Sequence, residues 1–177
     1  MTRKLVSGAI VALVGCVAFS GAASGMNTTA WEGSPVGKCF ASIDAYLDAA
    51  YGLDHASDEN IGTVPVVFAG SSRRLVWAVD KTSGVNVTRV LLDLGVDGRA
   101  CALLYAPVSS TVKLARSTVE GLPARITASD SPPPGFRSNR IVYEFDRVRR
   151  TYVPTTCFKV PGRGNPRRID CTRAFSD

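Results

Sequence analysis

Apolar positions change their spacing along this chain, and each change marks a different kind of element. From Leu5 to Phe19 the run is almost continuous, interrupted only by Ser7, Gly8, Gly15 and Cys16. Further on, Cys39, Ile43, Tyr46, Leu47 and Ala50 recur at the three- and four-residue spacing of one helical face. Ser34 is placed to cap that helix, Pro35 suits its first position and Gly52 its end. The polar stretch from Asp54 to Gly62 reads as the loop leaving it.

Beyond that loop the period shortens. Val64 to Ala69, Leu75 to Asp80, Val85 to Leu94 and Arg99 to Ala106 are short, Val-rich apolar runs, the signature of strands. Between them lie Gly70-Ser71-Ser72, Thr82-Ser83-Gly84 and Asp97-Gly98. Turns this short join antiparallel neighbours, because a parallel crossover takes a dozen or more residues. Thr111 to Ala128 fits either two short strands or a strand and a helical turn. Ser129 to Asn139 holds Pro132-Pro133-Pro134-Gly135 and reads as a stiff loop. Strand character resumes from Arg140 to Phe145 and from Thr151 to Val153, with a further run from Cys157 to Val160. The expectation is an α+β fold: an N-terminal helix packed on an antiparallel meander in a single disulfide-stabilised domain. That domain spans 25–177, with its Pro-rich loop near 129–139, and its length of about 150 residues suits one core.

The N-terminal run changes the picture from fold to compartment. Arg3 and Lys4 precede it, and small residues from Ser20 to Gly25 follow it. A basic start, a short apolar core and a small-residue exit are the parts of a secretory signal. A membrane span would need roughly 20 apolar residues. The signal is read as residues 1–24, with Ala22-Ala23-Ser24 and Ser20-Gly21-Ala22 both offering small residues for cleavage. Leu13-Val14-Gly15-Cys16 also resembles the bacterial lipobox, which implies cleavage after residue 15 and a lipid on Cys16. The chain stays apolar after Cys16 instead of becoming a polar tether, which favours the first cut and a soluble product.

Either cut leaves Cys39, Cys101, Cys157 and Cys171 in the domain. An even set in an exported protein implies two disulfides. Three connectivities are open; Cys157 with Cys171, closing a short loop, and Cys39 with Cys101, tying the helix to a strand, are favoured. The spacing opposes a zinc site, because no pair is C-x-x-C and His55 is the single histidine.

Charge is segregated. The formal net charge is +6, yet residues 26–135 carry nine basic and eleven acidic side chains, while residues 136–177 carry ten basic and four acidic. Asp44, Asp48, Asp54, Asp58 and Glu59 lie in a stretch with no Lys or Arg at all. Arg147, Arg149, Arg150, Arg167 and Arg168 form the candidate binding surface, suited to an acidic protein or an anionic envelope component. Nucleic acid is not an expected partner, since no aromatic residues interleave with the basic ones in a recognition motif. A membrane enters only if Cys16 is lipidated.

Candidate chemistry is sparse. Ser110-Thr111-Val112-Lys113 resembles the S-x-x-K of penicillin-binding enzymes, in which Lys lies one helical turn beyond a nucleophilic Ser. The K-T-G strand that should follow is missing; Lys81-Thr82-Ser83-Gly84 precedes it and carries an extra residue. His55 is flanked by Asp54, Asp58 and Glu59, but without the spacing of a calcium loop. Asp44 and Asp48 are one turn apart and read as a solvated pair. Trp31 and Trp77 read as packing residues. Asn27-Thr28-Thr29 and Asn86-Val87-Thr88 match the glycosylation sequon, which carries no weight in a bacterial source. The expectation is a non-enzymatic protein of the periplasm or cell envelope that binds another protein, as inhibitor, immunity protein or assembly accessory, with no cofactor. The alternatives are a small cell-wall or ester hydrolase using His55 or Ser110, and a lipid-anchored structural protein.

Overall fold

A computed structural model describes residues 34–177 apart from 70, 72, 83, 85, 86, 132–136, 163 and 173–177. The signal segment with Cys16, Trp31, the two sequon asparagines Asn27 and Asn86, and Pro132 to Gly135 lie outside the described residues.

The helix begins later than the apolar stripe implies. The chain enters as a short strand, β1 (Cys39–Phe40), and α1 spans Ile43–Tyr51. Ser42, not Ser34, is the cap: its backbone is extended and its Oγ accepts from the Ala45 N–H at 3.0 Å. Ser34 Oγ accepts from the Val36 N–H at 3.2 Å, and the Lys38 N–H closes a turn onto the Pro35 carbonyl at 3.0 Å. Two further bonds explain the shift. The Gly37 N–H donates to the Ala102 carbonyl at 2.8 Å, and the Ala102 N–H donates to the Lys38 carbonyl at 2.9 Å. A ladder therefore captures Gly37 to Phe40 before any helix can start. Tyr46, Leu47 and Ala50 are buried, as their spacing predicts. Gly52 ends the helix at φ 89°, a conformation that favours glycine, and a 3-10 turn (Leu53–Ser57) occupies the start of the expected loop.

Strands β2 (Ile61–Val66), β3 (Arg74–Asp80), β4 (Val87–Leu94) and β5 (Ala100–Ser109) form the meander with β1, in the order β1-β5-β4-β3-β2 and antiparallel throughout. The later strands do not extend that sheet. β6 (Thr111–Leu114), β9 (Arg125–Ser129), β10 (Ser138–Asp146), β11 (Thr151–Val160) and β12 (Arg167–Ile169) build a second one, ordered β12-β11-β10-β9-β6. Two-residue strands β7 (Thr118–Val119) and β8 (Leu122–Pro123) pair as a hairpin between β6 and β9 in the chain. The runs from Thr151 and from Cys157 are one strand. Pro154 lies opposite Tyr143 beside a register shift, so the ladder absorbs it without ending.

Strand side chains alternate between faces, and the first sheet uses both. Leu75, Trp77, Leu91 and Leu104 share a buried cluster with Ile126, Ile141, Tyr143 and Tyr152 of the second sheet. Ala78, Val90, Leu92, Ala100 and Ala102 form another with Tyr46, Leu47 and Ala50 of α1. Three of the five sheet positions in that second cluster are alanine, which leaves room for the helix to approach. Over the described residues the molecule is thus mostly antiparallel β with one α-helix, α+β in class, and carries two disulfides. Among the described residues no helix is long and apolar enough to cross a membrane.

Candidate functional site

The arginines singled out from the sequence fall at two opposite ends of the second sheet. Arg147, Arg149 and Arg150 make the exposed turn between β10 and β11. Asp146 organises that turn: its Oδ1 accepts from the N–H groups of Val148 and Arg149 at 2.9 and 3.1 Å. Arg150 takes φ 56°, the left-handed step that returns the chain into β11. Arg167 and Arg168 pair with Lys159 and Phe158 near the other end of β11. From Thr151 to Lys159 the strand covers about 26 Å at roughly 3.3 Å per residue. One rigid ligand of ordinary size does not reach both ends.

The far end is the more structured of the two. Lys159 lies between Asn139 on β10 and Arg167 on β12, and Arg137 stands just before β10. With Pro161, Gly164, Asn165, Pro166 and Ile169, these three cations line a groove of about 610 Å³ that has no carboxylate among the described residues of its lining. On the opposite face of the same strands, register places Arg168, Phe158 and Arg140 in one row. The Arg140 guanidinium sits 4.5 Å from the centre of the Phe158 ring, within cation–π range. Arg137, Arg140, Phe158 and Lys159 were not identified from the sequence. They belong to the basic C-terminal stretch, but only strand pairing brings them beside Arg167 and Arg168.

His55 is held by its surroundings. Its Nδ1 is 3.0 Å from the Gly52 carbonyl and 3.2 Å from Asp48 Oδ1. Both neighbours are acceptors, so Nδ1 is placed to donate to them. His55 lines a cavity with Ser42, Asp44, Thr63 and Arg74. Of the hydroxyls there, Ser42 is committed to the helix cap. Asp58 is also committed, accepting from the Asn60 backbone and side-chain amides at 2.9 and 3.0 Å. Among the described residues no three His, Cys, Asp or Glu side chains gather as a metal-binding group.

Ser110 and Lys113 are not one helical turn apart. Ser110 immediately precedes β6 and Lys113 is within it, where three-residue spacing points side chains to opposite faces. The Ser110 Oγ donates to the Ser129 carbonyl at 3.1 Å and lies 2.7 Å from Ser131 Oγ. These bonds tie β6 to β9 and its following turn.

Burial perturbs the phenols of both core clusters. Burial raises the phenol of Tyr46, next to Tyr51 and Asp80, and pushes Tyr51 up to about 12. Burial likewise raises Tyr105, Tyr143 and Tyr152. Tyr152 donates to the Pro123 carbonyl at 2.6 Å, which anchors the β7–β8 hairpin over the core. These are packing phenols that stay protonated.

Cys39 is bonded to Cys101 and Cys157 to Cys171. The first bond joins two paired strands, where the sequence suggested a helix and a strand. Two disulfides point to an oxidising compartment, periplasmic or extracellular. The chain matches no family model, no curated protein and no solved structure.

Proposed function

We propose that the protein is exported to the periplasm or cell envelope and works there by binding another protein, as an inhibitor, immunity protein or assembly accessory. In this reading residues 1–24 are removed and 25–177 remain as a soluble, oxidised domain. The observation that carries it is the groove at Arg137, Lys159 and Arg167, where three cations converge and the described residues of the lining include no carboxylate. A field of one sign in a concave site speeds and selects an oppositely charged partner. Affinity capture from envelope extract tests the proposal at low and high salt. A partner held at low salt and released at high salt is the expected result; no partner at either ionic strength contradicts it.

One geometric feature favours a second reading, a small cell-wall or ester hydrolase. The pairing of Asp48 with His55 fixes the imidazole tautomer as in an acid–base dyad. His55→Ala and Ser110→Ala separate the two readings: hydrolysis of wall fragments or model esters that survives both substitutions removes this class. If cleavage instead precedes Cys16, the domain is lipid-anchored, and Cys16→Ala then abolishes its membrane fractionation.

A further inference from the structure

We infer that the edge strand β12 is the docking site for an extended acidic segment of the protein partner, which adds to the second sheet as a further antiparallel or parallel strand. This inference rests on the protein-binding reading and names the chemistry of its partner. β12 ends its sheet, and among the described strands none pairs with its outer side. Every second residue of an edge strand turns its N–H and C=O outward, and a peptide backbone is the ligand that matches that spacing. The Cys157–Cys171 bond holds the chain just beyond β12 to β11, so the edge is presented pre-ordered.

Charge decides which strand can dock. Side chains of an added strand alternate between the two faces of the sheet. On one face they lie beside Arg167, with Lys159 one strand further in; on the other they lie beside Arg168, with Arg140 two strands further in and braced on Phe158. Each face presents an arginine of β12, so carboxylates find a guanidinium partner on either side. The same arginines repel a second copy of β12, the usual protection of an exposed edge against self-pairing. An acidic strand is accepted where a basic or identical one is refused.

The test uses the oxidised protein and an end-capped hexapeptide alternating Glu and Val, titrated by calorimetry. Three comparisons accompany it: the same peptide with a central Pro, a Lys–Val counterpart, and phosphatidylglycerol vesicles. The Glu–Val peptide is expected to bind, and to lose about tenfold in affinity with the Pro insertion or with Arg167→Glu, while Arg116→Glu, just beyond the opposite edge strand β6, leaves it unchanged. Hydrogen exchange of the Arg167–Ile169 amides should slow on peptide addition, a readout that a misfolded variant cannot mimic. Equal binding of the Pro peptide, equal loss with Arg116→Glu, or binding of vesicles without peptide overturns strand addition. If Arg167→Glu still captures the partner from envelope extract, this inference falls and the protein-binding reading stands. If no partner is captured at either salt concentration, the reading itself falls.

Discussion

Ser42 and Ser34 offer the helix the same hydroxyl, and what separates them is the chain that follows each. Lys38 to Phe40 are claimed by β5, so only Ser42 faces the free N–H groups of a real first turn. Ser42→Ala is therefore expected to cost about 1 kcal/mol in urea unfolding, and Ser34→Ala a few tenths at most. Equal effects of the two would contradict the cap assignment. The buried phenols give a pH prediction with a defined sign. Tyr51 is raised from 10.0 to about 12, so the folded state holds its proton where the unfolded chain releases it. That contribution to stability is complete below pH 10 and is lost as pH rises toward 12. Tyr46, Tyr105, Tyr143 and Tyr152 are shifted the same way. An absorbance titration should show little tyrosinate while the protein is folded, then a steep release on alkaline unfolding. Gradual titration near the ordinary tyrosine range would refute the burial of these side chains.

At the scale of elements, local pattern carried most of the strands and missed what long-range pairing decides. Leu75–Asp80 and the bulk of β4, β5 and β10 are legible because Val, Leu and Ile alternate or cluster between short turns. The start of α1 was not, because Cys39 has the right spacing for the helical stripe and is drawn out of it by its ladder to Cys101. Ser110 and Lys113 show the same limit: the four-residue motif needs a helix, and the chain there is a strand. Edge strand β2 carries its own protection. Pro65 removes a donor from it, between Val64 and Val67, which are both exposed. Pro65→Val is expected to increase self-association in sedimentation or light scattering without loss of fold; a strictly monomeric variant would argue that Pro65 plays no such role. The disulfides differ in reach, closing separations of 62 and 14 residues. On loop-closure grounds, losing the Cys39–Cys101 bond should cost about 4 kcal/mol and losing Cys157–Cys171 about 3. Denaturation of the paired Ser variants checks that order.

For the whole molecule, composition foretold a basic C-terminal stretch but not its shape. Five arginines near one another in sequence are divided between a hairpin tip and the other end of the sheet, where Arg167 lines a groove and Arg168 the opposite face, and strand pairing sets Lys159 beside Arg167 in that groove. Nor could periodicity say that the strands close into two sheets with the helix covering only the first, since every run reads as a strand in either arrangement. Export makes its own prediction. The intact mass of protein recovered outside the cytoplasm should lack residues 1–24, and should be two hydrogens lighter for each disulfide; a diacylglyceryl mass on Cys16 would replace the soluble form with an anchored one. The central claim is that the basic groove at Arg137, Lys159 and Arg167 engages a protein partner. Its most direct measurement is capture from envelope extract with the wild-type protein and with a Lys159→Glu, Arg167→Glu variant that keeps both disulfides. The account predicts a salt-sensitive partner retained by the first and lost by the second. An undiminished partner on the charge-reversed groove, or none on either protein, would contradict it.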